Sequence, residues 1–217
     1  MSAHTTAGKA LRYTVMAVGV IALVSYGSNL TSRYQTLRRS LDGLGGVRFI
    51  DSREEVFYRL GPPTYVLAPP DPTSKFQGSQ RIYYTSVPQN DKNAIPAGSK
   101  IQDFAEWAYE KAHGNARLYV RFSPSGQVEK VGWYSPSQDP TDWGPVIGIH
   151  NGDPEEVVLD LLGKPGSSTV KDVSKTLHYR DLGLTIILTK GRAYSMALAP
   201  REKGEWPIIR HFLRTLP

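Results

Sequence analysis

The feature that most constrains this chain is a short pattern that occurs twice. Asp51-Ser-Arg-Glu-Glu-Val-Phe-Tyr-Arg-Leu-Gly-Pro-Pro63 returns as Asp153-Pro-Glu-Glu-Val-Val-Leu-Asp-Leu-Leu-Gly-Lys-Pro165. With Gly61 placed on Gly163, Glu54 meets Glu156, Val56 meets Val158, Leu60 meets Leu162 and Pro63 meets Pro165. Each copy reads as a short helix with its own punctuation. Asp51 or Ser52, and Asp153, can accept from the first unpaired backbone N–H groups, and Pro154 suits a first helical position. The paired glutamates favour the positive end of the helix dipole. Each glycine can take the left-handed conformation that closes a helix, and the proline after it prevents continuation.

Strand-like sequence follows each helix. After the second come Thr176–Arg180, Leu184–Leu188 and Ala193–Leu198, with Lys190-Gly191 turning between the last two. After the first come Glu106–Tyr109, Leu118–Phe122 and Val128–Tyr134, with Ser123–Gly126 as the turn. Each unit is therefore expected to be a helix and a three-stranded antiparallel meander. The first is lengthened by an insertion from Thr64 to Gln102, within which Arg81-Ile-Tyr-Tyr84 reads as a further strand. Loops this long are either functional or lack structure of their own.

The carrying residues are Val56, Leu60, Gly61, Pro63, Trp107, Tyr109, Phe122 and Gly126, then Val158, Leu162, Gly163, Pro165, Tyr179, Leu188 and Gly191. A helix ending Val-x-x-x-Leu-Gly-x-Pro, a strand with Trp or Tyr, and a hairpin turning at glycine resembles the SmpA/OmlA (BamE-like) family. The tandem arrangement is similar to that of beta-lactamase inhibitor protein. The resemblance implies helices packed on antiparallel sheet and a non-enzymatic role, as an accessory subunit of an envelope complex or as an inhibitor. Two departures stand out: those lipoproteins carry a lipidated cysteine and usually a single unit, whereas this chain has no cysteine and two copies.

The N-terminus gives a second expectation. Residues 13–26 carry no charge and follow Lys9 and Arg12. Tyr13 and Tyr26 bracket Val15, Val18, Val20, Ile21, Leu23 and Val24 like interfacial aromatics around a lipid-embedded core. A spanning helix needs ~20 apolar residues, so the neighbouring positions must be recruited. Leu30, Tyr34, Leu37, Leu41 and Leu44 continue a helical stripe that Gly45-Gly46 should stop. A cleaved signal peptide ending near Ser25-Tyr26-Gly27 is the alternative.

Composition narrows the rest. Without cysteine there is no disulfide, thiolate metal site or cysteine nucleophile. The formal charge is +6, yet six of the 26 basic residues and only one of the 20 acidic ones precede Phe49. The folded part is nearly neutral and lacks the basic face that nucleic-acid binding requires. The excess sits where it can meet anionic lipid. His4, His113, His150, His178 and His211 show no metal-ligand spacing, so neither metal nor cofactor is expected. A Ser195–His178–Asp181 triad can be imagined, but no nucleophile-elbow glycines flank Ser195. The glutamate pairs Glu54-Glu55 and Glu155-Glu156 are explained by helix N-termini rather than acid–base chemistry.

The expectation is thus an α+β chain. An N-terminal transmembrane helix and stalk (1–46) precedes a first BamE-like unit (47–135), a linker (136–143), a second unit (144–200) and a tail (201–217). Each unit would pack short helices on a three-stranded antiparallel sheet. The expected role is a non-enzymatic, single-pass inner-membrane protein whose periplasmic domain docks onto other envelope or membrane-complex proteins, with lipid as the second partner. A protein inhibitor and a hydrolase are the alternatives. Candidate contact residues are Trp133, Tyr134 and Trp143, where Trp and Tyr serve as interface anchors or close a seam between units. In the tail they are Trp206, Arg210, Phe212 and Arg214, whose helix docks on its own domain or on a partner.

Overall fold

Alternation of apolar and polar residues builds, among the described residues, one continuous sheet from the strands expected to form two. The computed structural model describes residues 26–67, 83–85, 94–95, 97–135, 137, 139, 141–143, 146–201 and 206–214. The chain divides into two compact units, residues 1–39 and 40–217. In the first, the described residues are helical; this helix, α1, covers residues 26–40. The hydroxyls of Thr31 and Thr36 donate to the carbonyls of Gly27 and Ser32 one turn back.

The second unit opens with a small hairpin of β1 (Gly43–Leu44) and β2 (Val47–Arg48). The α2 helix (Arg53–Leu60), β3 (Tyr65–Leu67), β4 (Tyr83–Thr85), β5 (Glu106–His113), β6 (Ala116–Phe122) and β7 (Val128–Tyr134) follow. Then come α3 (Glu155–Leu162), β8 (Ser167–Lys171), β9 (Ser174–Tyr179), β10 (Leu184–Thr189), β11 (Arg192–Leu198) and α4 (Trp206–Arg214). Among the described residues, nine strands form one sheet in the order β4-β3-β5-β6-β7-β11-β10-β9-β8. Every neighbouring pair is antiparallel.

Period-two alternation sorts the side chains to two faces. One face carries the row Val66, Trp107, Val120, Val131, Leu198, Leu184 and Tyr179, each directly opposite the next. All are buried, and both short helices lie on this face. Val56 of α2 is buried, Phe57 meets the edge of Trp107 with centroids 6.2 Å apart, and Arg53 lies over the Phe122 ring at 5.4 Å. On α3, Val158 and Leu162 are buried, and Glu155 accepts from Lys175 Nζ at 2.5 Å.

The two helices are clipped to the sheet in the same way. The N–H of Arg53 donates to the carbonyl of Gly126, and that of Glu155 donates to the carbonyl of Gly191. A hairpin turn thus satisfies a helix N-terminus twice. For α3 it stands in for a side-chain cap, since Pro154 occupies the cap position and Asp153 accepts instead from the N–H of His150. Ser52 and Glu55 add a reciprocal capping box to α2. Both helices end at a glycine with φ near +75°, and Tyr109 and Tyr179 donate to the carbonyls of Gly61 and Gly163.

Several expectations are corrected here. The sheet is continuous: β7 pairs β11 over Val131–Tyr134, so the two units with separate three-stranded sheets do not exist as such. The second half also gains β8 and the first gains β3, while β4 overlaps the strand expected at Arg81–Tyr84 and joins the same sheet. Among the described residues no helix is long and apolar enough to cross a membrane. The single-pass inner-membrane topology, the periplasmic placement and the lipid partner are corrected on that finding. Of the anchor residues, Tyr13, Val15, Val18, Val20, Ile21, Leu23 and Val24 lie outside the described residues, and Tyr26 is exposed at the start of α1. The expected helix stop is also displaced. Gly45 and Gly46, with φ of +58° and +80°, turn the β1–β2 hairpin instead, and Leu41, Leu44 and Val47 are buried.

Candidate functional site

The residues on the second face of the sheet line a concave site. The middle row reads Tyr65, Ala108, Tyr119, Gly132, Ala197, Thr185, His178 and Ser167 across eight strands. Gly132 and Ala197 are the low points. A Cβ on Gly132 would sit 2.8 Å from the Met196 carbonyl and 3.2 Å from the Ala197 Cβ, so glycine is what lets β7 and β11 meet here. Either side of this floor the rows are tall. One holds Glu106, Arg121 and Lys130; the other holds Arg117, Tyr134, Ser195 and Ile187. A register shift between Ile187 and Leu188 adds Tyr194 to this wall.

These residues enclose about 400 Å³. The tyrosines are fixed by one another. Tyr134 meets Tyr119 edge-on at 6.4 Å and Tyr194 at 5.6 Å, the geometry that aromatic pairs prefer. The charged groups are also held. Arg121 donates through Nε and Nη2 to Glu106 Oε2 at 3.0 and 2.7 Å, and Arg117 Nη2 lies 2.6 Å from Glu110 Oε1. Burial opposes the Arg117 charge, but the Tyr119 hydroxyl and Glu110 outweigh it and raise its pKa further.

No family model and no curated protein matches the chain. Among solved structures it is similar to a DUF4309 family protein, YjgB, from Bacillus subtilis subsp. subtilis str. 168. Sequence identity is 10% and the TM-score 0.45, covering 79% of this chain and 95% of that one. The expected SmpA/OmlA membership is corrected: no family model matches the chain, and among the described residues one continuous sheet stands where tandem units were expected. The membrane-tethered scaffold role is corrected on the finding that no helix among the described residues is long and apolar enough to cross a membrane, and nothing matched supports the inhibitor or hydrolase alternatives.

The imagined triad does not assemble. Ser195 Oγ donates to the Trp133 carbonyl at 2.9 Å, and His178 Nδ1 lies 3.5 Å from the Thr185 hydroxyl. Asp181 has Arg210 at 3.9 Å. No group of three or more His, Asp or Glu side chains among the described residues is placed to hold a metal.

Of the candidate contact residues, Tyr134 is in the concave site. Trp133 is buried on the opposite face, with its ring against Gly45. Trp143 is fully buried beside Asp142, itself a buried carboxylate. Asp142 accepts from the hydroxyls of Ser135 and Ser137 and from the Asn115 N–H at 3.0 Å. Burial pushes its pKa up, but these donors outweigh burial and hold it below the usual value. The segment read as a polar linker is therefore a tied strap. In α4, Arg210 is exposed and Phe212 half-buried, while Ile208, absent from the sequence reading, is fully buried. Trp206 and Arg214 lie on the same helix.

Sequence reasoning missed Tyr119, Tyr194, Arg121, Lys130, Gly132 and Ala197. The signal was present: on β6 and β7 the polar parity includes tyrosine and cations rather than small polar residues, which marks a face with work besides solvation.

Proposed function

We propose that residues 40–217 form a non-enzymatic binding domain that takes a small organic molecule on the open face of its sheet. One observation carries this reading: a glycine–alanine floor walled by three mutually braced tyrosines and rimmed by oriented cations. Its volume lies in the ~300–1,000 Å³ range of small-molecule sites, which combine apolar walls with a few placed polar groups. The walls are set by sheet register and ring–ring contact, so little ordering cost falls on binding. Arg121 is paired with Glu106 and Arg117 with Glu110, an arrangement that serves recognition rather than proton transfer.

The test is a small-molecule screen on the full chain by ligand-observed NMR, repeated with Ala197→Trp. The new indole fills the floor from a half-buried position. Compounds that bind the native chain should lose binding in this variant while its near-ultraviolet circular dichroism keeps the native tertiary signature. Tyr134→Ala, which removes a wall instead of filling the floor, should weaken the same compounds. Hits that bind both variants undiminished would place the site elsewhere and overturn the reading.

A further inference from the structure

Among the described residues no strand pairs beyond β8, which ends the sheet on that side. All five of its residues are exposed, and so are Asp172 and Val173 of the turn into β9. His178 aims its carbonyl at this end of β8, where the Gly166 N–H donates to it at 2.9 Å. Ser167, opposite His178, and then Thr169 and Lys171 therefore spend their backbone groups on β9. Those of Ser168 and Val170 point away from the sheet, ready to pair with another strand. β8 contains no proline, and its one charge, Lys171, stands at its end. Its apolar residue, Val170, is 68% exposed.

This edge is complementary to itself. Laid antiparallel on a second copy about a two-fold axis through Thr169, threonine meets threonine, Ser168 meets Val170 and Ser167 meets Lys171. No like charges face each other, and threonine pairs are favourable cross-strand neighbours. Ser168 and Val170 oppose Leu177 and Lys175, so both lie on the face that carries α3. There Ser168 borders a hollow of about 450 Å³ between β8 and the end of α3, with Leu159, Pro165 and Leu177 as apolar walls. Val170 of each copy thus arrives at the mouth of the other's hollow. Beyond the strand, Asp172 of each copy reaches Gly166 of the other, close to Lys164. Lys175, in the same hollow, is held by Glu155. Lys164 and Asp172 are exposed, and neither has an ion-pair partner among the described residues.

We propose that the open edge of β8 is a two-fold interface between copies of this chain, separate from the concave site, which joins two sheets into one. Each contact then occurs twice, as a two-fold interface requires. The occupant is a second copy rather than another extended chain because the valine, the hollow that takes it and both opposite charges belong to this one edge. An interface of this size makes a weak, concentration-dependent dimer.

The experiment is sedimentation velocity of the full chain over a concentration series, with single-cysteine variants to read the register. A monomer–dimer equilibrium is expected, with a dissociation constant on the order of 10 μM. Val170→Lys, at an exposed position, should weaken it about tenfold or more. Lys164→Glu and Asp172→Lys should each weaken it, and an equal mixture of the two should recover the dimer, because both charge pairs are then matched. Lysine suits position 172, since Lys190 has φ +50° where Asp172 has +52°. The chain has no cysteine, so each cysteine variant carries one thiol. Thr169→Cys sits on the axis, within disulfide reach of its mate. Lys171→Cys lies roughly 13 Å along the strand from its own. Under mild oxidation Thr169→Cys should crosslink at least about tenfold faster than Lys171→Cys. A monomer at every concentration overturns the proposal, as does a dimer indifferent to Val170→Lys. Equal crosslinking of the two cysteine variants, a mixture no more dimeric than its components, or assembly past the dimer overturns it as well.

Discussion

Tyr179 ties the end of α3 to the sheet, its phenol donating to the carbonyl of Gly163 at 3.1 Å. Burial, with Glu155 nearby, pushes the pKa of this phenol up to about 12. The folded state therefore favours the neutral form that can donate.

Tyr179→Phe should lower stability by about 1 kcal/mol at neutral pH, the usual net worth of one such bond, read from urea unfolding. A raised folded-state pKa has a further signature. Its stabilisation is complete below the ordinary tyrosine value of 10.0 and fades as pH rises from there through about 12. The variant should show a shallower loss over that window. An identical alkaline limb in both proteins would show that Tyr179 is not the group responsible.

Asp51 gives the acid counterpart. Its carboxylate is buried, and burial alone would raise its pKa, but Arg59 at 2.6 Å and the N–H of Arg48 outweigh it and lower it below the usual value. A lowered folded-state pKa means stability that is present above 3.8 and lost as pH falls through the folded value. Arg59→Met should cost about 1–2 kcal/mol at pH 7, because, among the described residues, the buried carboxylate keeps as a cation only the more distant, exposed Arg48 side chain at 3.7 Å. It should also move the acid unfolding midpoint to higher pH. Circular dichroism against pH reads both.

Gly132→Val should cost about 1–3 kcal/mol, because the new Cβ meets the Met196 carbonyl at 2.8 Å in a close-packed ladder. Thermal unfolding checks this. A neutral result would mean that β7 and β11 can spread at their junction.

Local structure was legible in the sequence where punctuation and period agreed. Both helices form and stop at their glycines, although Pro154 rather than Asp153 holds the cap position of the second and neither glycine takes the left-handed conformation expected, and Val128–Tyr134 is a strand over those very residues. What was not legible was which strands meet. Edge pairing between β7 and β11 leaves no local signature, because Val131 and Leu198 would be apolar in one sheet or in two. β8 escaped notice because Ser167-Ser-Thr-Val-Lys171 is exposed on both faces and shows no alternation. The candidate site was legible only in Tyr134. Its other parts lie on strands far apart in sequence, and a glycine in a strand interior reads as a weakness until its neighbour is known.

The ladder joining β7 to β11 makes the halves interdependent in a way that a flexible tether would not. A chain cut at the strap around Asp142 would leave each fragment with a raw backbone edge at its most apolar point, where Val131 and Leu198 now face each other. Such fragments are expected to seek each other, or copies of themselves, rather than persist alone. The cavity, whose floor is half Gly132 and half Ala197, would vanish with the cut.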